Sequence, residues 1–129
     1  MKQIKISDAS MKQFSEGFCL SFKEKIEFSK LLDRLGADVI ELEGIENLRL
    51  DSLRIKSIAT AVKDSCIAVP VSMNDKSIED TWNALKLAKK PRLQVSAPTS
   101  AVQIEYLFHK KPDAMIKDVR LAVSKCASL

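Results

Sequence analysis

Cys66-Ile67-Ala68-Val69-Pro70-Val71 is an unbroken apolar run, the form expected of a parallel strand covered on both faces, with the donor-less Pro70 near its end. The period then changes. After Ser72-Met73-Asn74, the residues Ile78, Trp82, Leu85 and Ala88 recur at helical spacing, Asp75 or Ser77 is placed to cap the helix, and Pro91 is placed to end it. A strand handing over to a helix is one βα unit, and three more such units flank it.

Upstream, Val39-Ile40-Glu41-Leu42 is a short β-branched strand behind Gly36-Ala37-Asp38, and Gly44 opens a loop before Leu50, Leu53, Ile55, Ile58, Ala59 and Val62 form a helical stripe. At the start, Ile4 and Ile6 alternate with Lys5 and Ser7 in a first strand, and a loop follows through Asp8-Ala9-Ser10-Met11-Lys12-Gln13-Phe14 to a Ser15-Glu16-Gly17 turn. Ser21, with Glu24 three residues on, then caps a helix whose Phe22, Ile26, Phe28, Leu31, Leu32 and Leu35 run until Gly36 stops it.

Downstream, Leu93, Val95 and Ala97 alternate in a fourth strand, and Pro98-Thr99-Ser100 turns into a short helix through Ile104, Tyr106 and Leu107. Pro112 opens a last amphipathic helix carrying Met115, Ile116, Val119, Leu121 and Val123. Strands alternating with helices mean right-handed βαβ units and a parallel sheet. The expected fold is therefore α/β, with four parallel βα units in one domain, 1–129. A closed (β/α)8 barrel takes roughly 250 residues, so these four units make a half or partial TIM barrel.

Composition narrows the partners. The 21 Lys and Arg against 17 Asp and Glu leave +4, but Lys23/Lys25, Lys86/Lys89/Lys90 and Lys110/Lys111 lie in separate segments mixed with acids. No aromatic residues interleave with them as a stacking platform requires, which argues against a nucleic-acid face. Cys19, Cys66 and Cys126 have neither zinc-site nor disulfide-framework spacing. No apolar stretch approaches the ~18 residues of a membrane span. A cytoplasmic protein with no membrane partner is the expectation.

In a parallel barrel the loops at the carboxyl ends of the strands carry the chemistry. The polar residues there are Asp8, Ser10, Lys12, Gln13, Glu41, Glu43, Ser72, Asn74, Thr99 and Ser100. Asp8 reads either as a turn carboxylate accepting backbone N–H bonds or as a carboxylate orienting Lys12; Lys12 reads as a surface lysine or as an oxyanion-stabilising cation. Glu41, inside an apolar strand, requires a partner, so it is a structural ion pair or a substrate-side group. Thr99 and Ser100 either cap the next helix or hydrogen-bond a bound carboxylate or hydroxyl. His109 reads as a surface histidine, and Trp82 as a core or helix–helix anchor.

Three stretches carry a family resemblance: Ser21-Phe22-Lys23-Glu24-Lys25 with residues 31–41, Trp82-Asn83-Ala84-Leu85-Lys86-Leu87-Ala88 with residues 89–93, and Thr99-Ser100 with Ile104-Glu105-Tyr106. With these the chain resembles the amino-terminal half of the isopropylmalate, homocitrate and citramalate synthase barrel. The resemblance implies Claisen-type condensation of acetyl-CoA with a 2-oxo acid at a divalent Mg, Mn or Zn ion, by acyltransferases that convert the acyl group into an alkyl group. It also implies that the opening motif is degenerate. The family has Asp-Thr-Thr-Leu-Arg-Asp/Glu-Gly, with Arg on the substrate carbonyl and the next carboxylate on the metal, where this chain has Asp8 to Phe14, with Lys12 and Gln13 at those two places. Lys keeps the charge without the bidentate fork, and a neutral amide is a poor ligand for a hard cation. Gln103 stands at the family's histidine, and the family's His-x-His pair belongs to the other barrel half.

The resemblance places Asp8 and Lys12 at catalytic positions of the opening motif, and their place at the strand ends makes Glu41, Thr99 and Ser100 the candidate substrate-side residues. No cofactor is expected for this chain, and little activity alone. The expectations are a truncated relative, a non-catalytic remnant or interaction module, or one subunit of a split synthase. Two open sheet edges and an apolar inner face imply a homo-oligomer or a separately encoded second barrel half, unless the loop between Pro98 and Pro112 folds back over that face.

Overall fold

The computed structural model describes residues 3–13 and 19–129. The expected Ser15-Glu16-Gly17 turn and Phe14 lie outside the described residues. Four strands, β1 (Ser7–Asp8), β2 (Val39–Glu41), β3 (Cys66–Val71) and β4 (Pro91–Val95), form one sheet in the order β1-β2-β3-β4. Every pairing is parallel, with Ser7 opposite Val39, Val39 opposite Cys66 and Ile67 opposite Pro91. The helices are α1 (Phe22–Leu35), α2 (Leu48–Ala61), α3 (Asp75–Leu85), α4 (Ala101–Phe108) and α5 (Pro112–Ala127), with one 3-10 turn at Ser10–Lys12.

The strand order never reverses. Right-handed crossovers that step always in one direction place their helices on one face of the sheet, which is the wall of a barrel; a doubly wound sheet reverses its order and is covered on both faces. The core agrees, because Ile40, Leu42, Ile67 and Val69 pack with Leu32 of α1, Ile55, Ile58 and Ala59 of α2, and Ala84 and Leu85 of α3. A smaller cluster of Val71, Ile78 and Ala122 fixes α5 beside α3. The architecture is a four-stranded partial α/β barrel.

Local signals explain most boundaries. At α1 the Ser21 side chain accepts from the Glu24 N–H and the Glu24 carboxylate accepts from the Ser21 N–H, closing the capping box. Gly36 ends that helix in the left-handed region at φ 88°. In β3, Cys66 donates to the Asp38 carbonyl and Ile67 to that of Lys90, so alternation turns the Pro70 nitrogen toward β2. The β2–β3 pairing stops at Glu41 opposite Ala68, and the missing donor leaves no ladder bond unmade.

Four expectations are corrected. The cap of α3 is Asn74, whose side chain accepts from the Ser77 N–H, because an N-cap must precede the helical dihedrals that Asp75 already has. Pro91 does not end α3; the helix stops at Leu85, and Pro91 begins β4 opposite Ile67. β1 is only Ser7–Asp8, and Ile4 and Ile6 are exposed, because no strand among the described residues lies on the outer side of this edge. In α1 the sheet-facing residues are Ile26, Ser29 and Leu32, while Leu31 and Leu35 are 57% and 82% exposed. Ser29 is buried because its hydroxyl donates to the Ile26 carbonyl at 2.7 Å, satisfying the polar group within its own helix.

The open face is not the apolar surface expected. Register and alternation place Ser7, Val39, Glu41, Cys66, Ala68, Pro70, Arg92 and Gln94 there, a mixture of polar and small residues. The segment between Pro98 and Pro112 does not fold over this face either; it forms α4, which packs with α5. No helix among the described residues is long and apolar enough to cross a membrane.

Candidate functional site

The open face carries one charged cluster, built from residues far apart in the chain. Lys12, at the end of the 3-10 turn, donates from Nζ to Glu41 Oε2 at 2.7 Å and to Gln94 Oε1 at 3.2 Å. Ser7 Oγ donates to the other Glu41 oxygen at 2.7 Å. The cluster therefore joins β1, its following turn, β2 and β4. Between them on β3 lies Ala68, in register with Glu41 and with Arg92, and 2% exposed. Its small side chain adds little bulk between Glu41 on β2 and Gln94 on β4, the two residues that Lys12 bridges.

These contacts fix the electrostatics. The Lys12 hydrogen bond, followed by that of the Ser7 hydroxyl, holds the Glu41 carboxyl below its ordinary value of 4.5. Glu41 is thus a carboxylate at neutral pH and a weak base. Lys12 has two of its three donors occupied, one by an opposite charge. An ammonium so neutralised is a poor stabiliser of a developing oxyanion, which needs unpaired donors already aimed at the reacting atom.

Asp8 does not orient Lys12. Its two oxygens accept from the Ser10 N–H at 3.0 Å and the Ser10 hydroxyl at 3.1 Å, the local turn a short acidic side chain makes after a strand. Thr99 and Ser100 are exposed and stand apart from the Lys12 cluster in its hydrogen-bond network. Ser100 is the N-cap residue of α4 but its side chain makes no capping bond; Thr99 lines a separate groove beside α5. His109 is exposed at the end of α4. Trp82 is half-buried on α3.

Gln94 was not among the expected site residues. Its signal was its place in the alternation of Leu93 and Val95, which marks position 94 as facing away from the helices. Glu43, beyond β2, anchors a second network: Lys25 Nζ reaches both its oxygens at 3.1 and 2.9 Å, and Arg54 Nη1 lies 2.7 Å away. Arg54 also pairs with Asp51 at 3.2 Å, and Asp51 accepts from the N–H groups of Glu46 and Asn47. This network fastens the β2–α2 loop.

The described residues around Gln13 do not fit a divalent metal. Gln13 is exposed and offers a neutral amide; the carboxylate sharing its 80 Å³ cavity, Glu43, is engaged by Lys25 and Arg54. Among the described residues no three His, Cys, Asp or Glu side chains are grouped to hold a metal ion.

Residues 5–129 match the family model described as HMGL-like. The 2-isopropylmalate synthase of Halalkalibacterium halodurans is 32% identical over 130 residues, 99% of this chain and 25% of that protein. That of Lysinibacillus sphaericus is 33% identical over 125 residues, and that of Cupriavidus pinatubonensis 38% over 109 residues, 84% of this chain and 21% of that protein. The chain thus spans about a quarter of the length of these relatives. Among solved structures, the oxygenating constituent of 3,6-diketocamphane monooxygenase from Pseudomonas putida, a type II Baeyer-Villiger monooxygenase in complex with FMN, superposes with a TM-score of 0.50. It does so at 16% identity over 92% of this chain and 37% of that one, a likeness of fold alone.

Proposed function

The chain belongs to the HMGL-like family, and from that premise we propose that it is a barrel segment of a 2-isopropylmalate synthase-like protein that does not itself condense acetyl-CoA with a 2-oxo acid. Its charged cluster holds the strands at barrel curvature for a second barrel half. The observation that carries this reading is the 2.7 Å contact of Lys12 with Glu41. At the place where the resemblance puts a carbonyl-polarising arginine, this chain has a lysine bound by a carboxylate and an amide. Removal of a single preorganised oxyanion donor costs about 10²–10³-fold in rate. Here the carboxylate that would follow it, on the metal, is Gln13.

In the 129-residue chain the open sheet edges are expected to pair, with a second copy or with a supplied second barrel half. Supporting this, among the described residues no strand lies on the outer side of β1 or β4, and such edges invite pairing. Ile4 and Ile6 at the β1 edge are apolar and exposed.

Two measurements test the reading. Thiol release from acetyl-CoA with pyruvate, 2-oxoisovalerate or 2-oxoglutarate is expected to stay at background; turnover abolished by Lys12→Met would refute catalytic silence. Sedimentation equilibrium of the chain alone is expected to show concentration-dependent association, and an ideal 14.4 kDa monomer that also ignores a supplied second barrel half would refute the pairing.

A further inference from the structure

A groove of about 410 Å³ lies between the β4–α4 connection and helices α4 and α5, within the roughly 300–1,000 Å³ of small-molecule sites. Its floor is Ile104 and Met115, buried at 6% and 3% exposure, and Pro98, Ile116 and Val119 form its walls. Two polar residues line it, Thr99 and Arg120.

Charge distinguishes this groove from the other cavities. The hollow at the amino ends of the strands mixes Asp33, Asp38 and Asp64 with Lys5, Lys90 and Arg92, and the one beyond β2 and β3 mixes Glu46 and Asp80 with Lys76; the α4–α5 groove has a cation and no acidic lining residue. Arg120 has no salt-bridge partner among the described residues. Its helical neighbours one turn away, Ile116, Lys117, Val123 and Ser124, include no acid, and the acid on the same stripe, Asp113, is two turns away. An apolar trough with one hydroxyl and one uncompensated guanidinium matches a molecule with an apolar body and a single anionic end.

We propose that the α4–α5 groove binds an amphipathic monocarboxylate, its chain over Ile104, Met115 and Val119 and its carboxylate on Arg120 with Thr99 as a second donor. Burying the chain supplies the affinity, and the guanidinium, whose fork matches a carboxylate, supplies the selectivity. The site is independent of the Lys12–Glu41 cluster and of the proposed catalytic silence.

The test is calorimetric titration of the 129-residue chain with octanoate, octanol and octyltrimethylammonium, with amide NMR shifts to locate the ligand. Octanoate is expected to bind saturably and to shift amides in residues 97–99 and 112–120. Arg120→Gln, at an exposed position, should weaken octanoate about tenfold and leave octanol unchanged. Ile116→Glu, also exposed, should repel octanoate while the circular dichroism stays unchanged. Absence of saturable octanoate binding, equal binding of all three probes, or Arg120→Gln weakening octanol as much as octanoate would overturn the proposal. So would occlusion of the groove by a second copy, seen as a dimer that Ile116→Glu dissociates.

Discussion

Replacing Asp33 by Asn should remove a clamp that positions β3. Asp33 lies in the last turn of α1, yet its carboxylate reaches the segment leading into β3: Oδ2 accepts from the Lys63 N–H at 2.8 Å, and Oδ1 from the Asp64 N–H at 3.0 Å, the Ser65 N–H at 2.7 Å and the Ser65 hydroxyl at 2.8 Å. Burial by itself would raise its pKa, but the donors of Lys63, Ser65 and Asp64 together prevail and bring it from 3.8 to about 2. At about 1.4 kcal/mol per pH unit, that difference amounts to about 2 kcal/mol of stability, and solvent on the open side of this half-buried carboxyl lowers it to about 1–2. The folded-state value lies below the unfolded one, so the contribution is complete above about pH 5 and fades as the pH falls toward 2.

Asparagine keeps one acceptor oxygen and turns an amide donor toward N–H groups, losing bonds on one side and opposing donors there. The expected loss is about 2–3 kcal/mol at neutral pH. Urea unfolding followed by circular dichroism at several pH values from 7 to 3 measures both quantities, and the difference between the proteins should narrow with acid. A loss below about 0.5 kcal/mol, within the range of ordinary surface substitutions, or parallel pH profiles for the two proteins, would refute the clamp.

Glu41→Gln should destabilise the fold by about 1–2 kcal/mol, because Lys12 loses its counter-charge on a partly buried face; since Glu41 titrates below its ordinary value, this difference too should shrink in acid. Ala68→Leu should be worse than its added volume suggests, by about 1–3 kcal/mol, since the branched side chain enters the space where Lys12, Glu41 and Gln94 meet; an unchanged denaturation midpoint would contradict that account. Gly36→Ala should cost about 1–2 kcal/mol through the left-handed backbone alone, because a Cβ there meets nothing within 4 Å, and a thermal melt lowered by several degrees checks it. Titration with Mg²⁺, Mn²⁺ and Zn²⁺ should give no stoichiometric heat at micromolar affinity; a tight site lost in Gln13→Ala would overturn the reading of the opening motif.

The elements legible in the sequence are those that local physics closes. Residues 66–71 form the expected strand because an apolar β-branched run suits a strand whose helix-facing side chains, Ile67, Val69 and Val71, are all buried. Ser21 with Glu24 and then Gly36 fix both ends of α1 through contacts within a few residues. Four such units in sequence fix a parallel sheet, because a helical crossover returns the chain in the same direction. What the tertiary structure decided is the rotational phase of each element and the pairing of remote side chains. The apolar residues of α1 span more of its circumference than the sheet covers, so Leu31 and Leu35 stay exposed while Ser29 is buried. Lys12 meets Gln94 across 82 residues of chain, and Asp33 meets Ser65 across 32. Neither pair has a spacing a sequence pattern can report, since the strand register that brings them together is set by packing of the helical layer.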